Sequence, residues 1–324
     1  MTKIGIIGCG NISKFHIPAL QKVGFSIVAI SGRDGSEIKL EKFSKSNNLT
    51  NSKIFSSSLE LIHSNIWDAL LVCCPTENSL EYLNIACKYK KPILVEKPIN
   101  YQSDKLFPLL KYKNIKVAFN RRFYESVKFA KKFYDENNIS LIKVSIPEKN
   151  SEITDIKKFP TSIYENSIHM FDLLNFITGN CNFHYCESLI YQKKYKTIIA
   201  TGTSKKGSLI QLDMCFNSSD NFSIDIISEK KRVELSPIEI ARFYDGIEKI
   251  DPTKEISIRR YNPIMHDEVI TADINNLKPG FYAQALNFNK FCKGEFNKGP
   301  SITDAYNNLK SIEQLFELQK INFG

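Results

Sequence analysis

Lys3-Ile4-Gly5-Ile6-Ile7-Gly8-Cys9-Gly10-Asn11-Ile12-Ser13 decides the fold of this chain. An apolar run of strand type ends in two glycines one residue apart, and a helical pattern from Ser13 to Lys22 follows at once. Strand, glycine turn and helix in this order make a cradle for a dinucleotide pyrophosphate. Gly8 permits the tight turn, and Gly10 lets the backbone approach the phosphates. The helix start, with Asn11 and Ile12, offers N–H groups to them. Ser13 stands where a third glycine is usual, and it is small enough for close helix–strand packing.

The residues after the second strand bear on which dinucleotide is bound. An acidic residue about 20 positions beyond the glycines would hydrogen-bond the ribose 2′-hydroxyl of NAD. Here the place reads Ser31-Gly32-Arg33-Asp34. Ser31 can bond a phosphate and Arg33 can neutralise one, so the expectation leans to NADP. Asp34, at a slightly different register, keeps NAD open.

Outward from this turn, short apolar runs alternate with amphipathic stretches. Strands are expected at Lys3 to Ile7, Ser26 to Ile30, Lys53 to Phe55, Ala69 to Cys73, Pro92 to Val95 and Lys116 to Ala118. Helices are expected near Ser13 to Lys22, Glu37 to Asn47, Ser58 to Ser64, Ser79 to Tyr89 and Ser103 to Tyr112. Repeated β-α units predict an α/β fold, a doubly wound parallel sheet covered on both faces. This Rossmann domain is expected over residues 1–122.

The remainder, 123–324, is expected to be an α+β substrate and oligomerisation domain with a mostly antiparallel open sheet. Ile210, Leu212, Met214 and Phe216 alternate with Gln211, Asp213 and Cys215, and Phe222 to Ile226 repeats the period of two. Lys205-Lys206-Gly207 and Ser218-Ser219-Asp220-Asn221 read as turns. Helices from Gly280 to Lys293 and from Thr303 to Leu318 close the chain and are available to pack back on the first domain.

Composition excludes several function classes. Of the 324 residues, 42% are hydrophobic and 24% charged, as in an ordinary globular protein. A run of about 18 apolar residues is lacking, so no membrane span is expected. The start of the chain has no signal-peptide layout, and the expected location is the cytoplasm. The net charge of +9 comes from scattered lysines rather than a basic helix, which argues against nucleic acid and for a field attracting anionic ligands. The eight cysteines show no C-x-x-C pair, and Cys181, His184 and Cys186 lack further ligands, so neither disulfides nor a metal site is expected.

Pro92-Ile93-Leu94-Val95-Glu96-Lys97-Pro98 places a charged pair directly after a buried strand, at the carboxyl edge of the sheet where ligands bind. With this run in place, the sequence resembles the glucose-fructose oxidoreductase, inositol dehydrogenase and rhizopine-catabolism family, written Gfo/Idh/MocA. The marks occur in order. They are the glycine turn with His16 downstream, Cys74-Pro75-Thr76-Glu77-Asn78, Glu96-Lys97-Pro98 and Asn120-Arg121-Arg122-Phe123. Glu165 to Asp172 and Gly280-Phe281-Tyr282-Ala283-Gln284 complete the series.

The resemblance implies a nicotinamide-dependent dehydrogenase or reductase acting on CH–OH groups of a sugar, polyol or nucleotide sugar. It implies a homodimer or homotetramer. Cys74, Pro75, Thr76, Asn78, Glu96, Lys97 and Arg122 are implied on the cofactor side; Lys97, Tyr164, Glu165, His169 and Tyr282 are implied around the substrate. His169 is expected as general acid/base, Lys97 as the donor to the reacting oxygen or itself the proton donor, and Glu165 as a support for either the histidine or a substrate hydroxyl. Spacings of four and three put Glu165, His169 and Asp172 on one face of an α-helix, which Gly179 ends. Two departures stand out: Glu165 replaces the family's usual aspartate, and Ser79 stands where many members have histidine. Arg259 and Arg260 are candidate contacts for an anionic or nucleotide-linked sugar. The rival reading is a non-catalytic dinucleotide-binding regulator, which would be expected to lose the lysine or the histidine.

Overall fold

The computed structural model describes residues 1–33, 35–149, 151–153, 158–274, 276–295 and 299–323. In chain order the first elements are β1 (Lys3–Ile7), α1 (Ser13–Lys22), β2 (Ser26–Ser31), α2 (Glu37–Ser46), β3 (Lys53–Phe55) and α3 (Ser58–Ser64). Then follow β4 (Ala69–Val72), α4 (Thr76–Ala86), β5 (Ile93–Val95) and β6 (Ile115–Val117). The middle of the chain holds α5 (Glu125–Glu136), β7 (Leu141–Ser145), α6 (Ile168–Thr178), β8 (Cys181–Tyr191), β9 (Lys194–Ser204) and β10 (Leu209–Cys215). Next come β11 (Ser223–Ile227), β12 (Lys231–Leu235), β13 (Ile240–Ile250) and β14 (Arg260–Ile270). The chain closes with α7 (Phe281–Cys292), α8 (Ile302–Leu318) and β15 (Gln319–Phe323).

Two compact units result: Met1–Phe123 with Asp273–Lys310, and Tyr124–Ala272 with Ser311–Gly324. The first is built on a six-stranded sheet of order β3-β2-β1-β4-β5-β6, parallel throughout. Every residue of β4 and β5 is buried, because helices cover both faces of a parallel sheet. Ile4, Ile6, Leu20, Ile30, Leu71 and Leu94 share one core with Phe281, Ala285 and Phe288 of α7. The last three recur at helical spacing on one stripe.

The stretch Ser103 to Tyr112 departs from expectation. It forms a 3₁₀ helix over Asp104–Leu109 rather than an α-helix, and Pro108 inside it has no N–H for an α-helical bond.

The second unit carries a nine-stranded sheet of order β14-β13-β12-β11-β7-β10-β9-β8-β15. Most pairs are antiparallel, but β7 with β10 and β8 with β15 run parallel. The turn at Lys205-Lys206-Gly207 joins β9 to β10 as a hairpin. The turn at 218–221 does not join neighbours, since β10 and β11 lie on opposite sides of β7. Along β10 and β11 the alternating residues Ile210, Leu212, Met214, Ile224 and Ile226 are buried, as the period of two requires. Among the described residues, no helix is long and apolar enough to cross a membrane.

Candidate active site

The order of the parallel sheet reverses between β1 and β4, and the glycine turn and the Cys74–Asn78 loop leave the sheet at that point. A crevice outside the carboxyl ends of strands is where such sheets bind ligands. Here it encloses about 530 Å³ and is lined by Gly8, Cys9, Gly10, Asn11, Ile12, Arg33, Cys74, Pro75 and Asn78, among others.

The glycines have different tasks. Gly8 has φ +95°, and a Cβ there would stand 2.5 Å from the Cys73 carbonyl oxygen, so only glycine is accommodated. At Gly10 a Cβ would meet nothing within 4 Å: it would project into open space that a pyrophosphate needs. Ser13 Oγ donates to the Gly10 carbonyl at 2.7 Å and fixes the turn, while no side chain caps the start of α1. Burial pushes the thiols of Cys9 and Cys74 up to about 12 and about 11, so both line the cradle as neutral groups. An anionic dinucleotide therefore fits this crevice.

The adenosine end differs in detail from the sequence expectation. Ser31 is fully buried, its hydroxyl 3.1 Å from that of Ser58, and it does not line the crevice. Its place is taken by Ser58, with Ser36 and Lys39 beside Arg33. Ser31 ends a strand inside the sheet, and its side chain points inward to α3; nothing in its spacing distinguished it from the exposed Arg33. Asp34 lies outside the described residues. Thr76 starts α4 at the rim and is not a lining residue of this crevice.

Glu96 and Lys97 follow β5 and are both half-buried. Glu96 N–H still bonds the Val72 carbonyl (2.8 Å), so Lys97 is the first residue to leave the sheet. The Glu96 carboxylate is held by His16, whose Nε2 lies 2.7 Å from Oε1, a pairing no sequence spacing announced. Arg122 was expected at the cofactor boundary. It is buried, with its guanidinium 3.0 Å from Asp304. Burial acts to raise the Asp304 carboxyl, but Arg122 and the Ser301 hydroxyl and amide outweigh it and hold it below the usual range. Tyr282 is half-buried at the start of α7.

In the second unit the helix motif is not a uniform α-helix. Ile163–Ser167 form a π turn, and α6 begins only at Ile168. A wider turn rotates Glu165 away from the i, i+4 position relative to His169, so the single face expected for Glu165, His169 and Asp172 does not form. Glu165 is exposed, whereas His169 and Asp172 are buried. The buried carboxylate of Glu148 reaches into this turn and accepts hydrogen bonds from Ser167 Oγ (2.8 Å) and Asn166 Nδ2 (3.1 Å). Those bonds brace the π turn through its side chains. Tyr164 is buried, which pushes its phenol up to about 12. Gly179, in the left-handed region at φ 74°, ends α6 as expected. Arg259 and Arg260 are exposed. None of the eight cysteines is in a disulfide, and among the described residues no cluster of three His, Cys, Asp or Glu side chains could hold a metal ion.

Residues 2–119 match the model of an oxidoreductase family with an NAD-binding Rossmann fold, Gfo/Idh/MocA. The match covers the Rossmann part of the first unit. The chain is 28% identical over 186 residues to a Bacillus subtilis protein named uncharacterized oxidoreductase YrbE, covering 54% of this chain and 53% of that one. It is 27% identical over 187 residues to myo-inositol 2-dehydrogenase of Thermotoga maritima, covering 55% of each. The aligned region thus spans about half the length of these curated relatives. Among solved structures, levoglucosan dehydrogenase in complex with NADH and L-sorbose superposes with a TM-score of 0.77 at 15% identity, covering 98% of this chain and 96% of that one. At that identity the likeness concerns the fold.

Proposed function

We propose that the protein is a dehydrogenase or reductase that uses a nicotinamide dinucleotide to interconvert CH–OH and C=O groups of a sugar, polyol or nucleotide sugar. The observation that carries the reading is the crevice at the β1/β4 switch point, with Gly10 open to a pyrophosphate and Lys97 leaving the same sheet two residues after β5. The inositol dehydrogenase relative and the fold shared with a levoglucosan dehydrogenase support a carbohydrate-like substrate.

The nicotinamide, when bound, accepts or supplies the hydride at C4. Lys97 donates a hydrogen bond to the reacting oxygen and stabilises the negative charge developing there. His169 takes the hydroxyl proton on oxidation and returns it on reduction, a role an imidazole commonly fills. Glu165, exposed beside this helix, binds a neighbouring substrate hydroxyl, and Tyr164 and Tyr282 bound the substrate.

Arg33 and Lys39 at the adenosine end favour the 2′-phosphate of NADP over NAD. The open sheet of the second unit, with Leu189, Tyr191 and Ile199 exposed, is read as the surface through which copies of the chain assemble.

A panel of keto-sugars and inosose offered with NADPH, then NADH, tests the activity. Oxidation of either cofactor by at least one member is expected, fastest with NADPH. Tight dinucleotide binding without oxidation by any member would favour the regulator instead.

A further inference from the structure

His16 is a buried polar side chain that none of these steps uses. It sits on α1, four residues into the helix that follows the glycine turn, and is 2% exposed. The two oxygens of Glu96 are divided between two donors. Oε1 lies 2.7 Å from His16 Nε2, and Oε2 accepts the N–H of Lys97 at 3.1 Å. The other side of the imidazole meets the ring of Phe281 edge-on, with centroids 4.9 Å apart and planes at 71°. Phe281 directly precedes Tyr282. Three of the segments that marked the family therefore converge on this one side chain.

The contact has a direction. A carboxylate mostly withdrawn from water needs donors, and an N–H facing it forms a short charge-assisted bond. With His16 donating, Glu96 is turned back over the Lys97 amide and holds the peptide where the chain leaves the sheet. Without that donor the carboxylate has reason to swing to solvent and release the amide.

We propose that His16 is a positioning residue for Lys97: by holding Glu96 against the Lys97 amide, it ties the direction of Lys97 to the helix that receives the pyrophosphate. This rests on Lys97 being the group that meets the reacting oxygen. Its catalytic weight comes from geometry, since a displacement of about 1 Å in a reacting group can cost about a hundredfold in rate.

The test compares the full chain with His16→Gln, whose Nε2 can occupy the donor position, and His16→Leu, which fills the space without a donor. His16→Asn, too short to reach Glu96, replaces the leucine variant if that one does not fold. Three quantities are read: the Kd for NADH, kcat and KM on the best sugar of the panel, and the titration of Lys97. The last is followed by the 13C signal of its dimethylated amine, assigned by its loss in Lys97→Arg.

The donor-less variant is expected to lower kcat about ten- to a hundredfold, with Kd for NADH and KM within about threefold. It should move the Lys97 midpoint by about half a unit or more. His16→Gln should restore both. An unchanged Lys97 titration without the donor, or a glutamine variant as impaired as the leucine one, overturns the proposal. The Lys97 signal decides even if no sugar turns over, and Lys97→Ala with near-normal turnover would remove the underlying reading separately.

Discussion

The glycine turn and the helix motif of the second unit differ in how directly their sequence specifies their shape. In the turn, each residue's role follows from its own backbone: Gly8 at φ +95° against the Cys73 carbonyl, Gly10 facing open space, and Ser13 tied three residues back. In the motif around His169, a spacing that promised one α-helical face meets a π turn over Ile163–Ser167, where the carboxylate of Glu148, some twenty residues earlier, engages the side chains of Asn166 and Ser167. Local constraints survive transfer from sequence to structure, whereas helical spacing predicts a shared face only where the helix keeps its α-helical period.

The largest expected effect sharpens the local side of this comparison. Gly8→Ala should destabilise the chain by about 3 kcal/mol or abolish soluble expression, because the added methyl meets fixed backbone at a positive φ. Chemical denaturation measures it. Gly10→Ala, with space for the methyl, should leave stability within about 0.5 kcal/mol and weaken NADPH binding about tenfold or more. Equal damage to stability at both glycines would break the division of tasks.

Next in size is the tertiary side. Glu148→Ala removes the acceptor of Ser167 Oγ and Asn166 Nδ2 and should cost about 1–3 kcal/mol in urea unfolding, with a change in any signal reporting on Glu165. If the π turn persists unchanged in a crystal structure of this variant, Glu148 is not what shapes it.

The smallest effect lies on the sheet of the second unit. Asp225 faces Glu234 on one neighbouring strand and Lys143 on the other, and burial, opposed by Arg232 and Lys143 but joined by Glu234, raises its pKa. A carboxyl whose folded pKa is raised favours the native state most at low pH and loses that contribution as pH rises through the folded value. Asp225→Asn should therefore stabilise the protein at pH 7 by about 0.5 kcal/mol, and the gain should vanish as pH falls through the carboxylate range. Thermal melts across pH read this out.

Much of the first unit could be read from the sequence because each β-α repeat signals itself. The bounds of β1, α1, β3 and α3 fall where the apolar runs and turn residues put them. What could not be read depends on residues distant in the chain. Ser31 and Arg33 are two positions apart, yet the hydroxyl of Ser58 draws one inward and leaves the other at the crevice. Arg122 looked available until α8 brought Asp304 to it. His16 carried no local sign of its bond to Glu96, eighty residues away. The nine-stranded order, with β7 between β10 and β11, likewise depends on pairings that alternation alone does not choose.

The central proposal gives Lys97 the contact with the reacting oxygen and His169 the proton transfer, with the dinucleotide held by the glycine turn. Its most direct test measures turnover and NADPH affinity in Lys97→Ala, His169→Ala and the double variant. Each single change is expected to lower kcat at least about a hundredfold with NADPH affinity within about threefold, and the double variant should be little worse than either, as for groups acting as a unit. Near-normal turnover in both single variants would contradict the account.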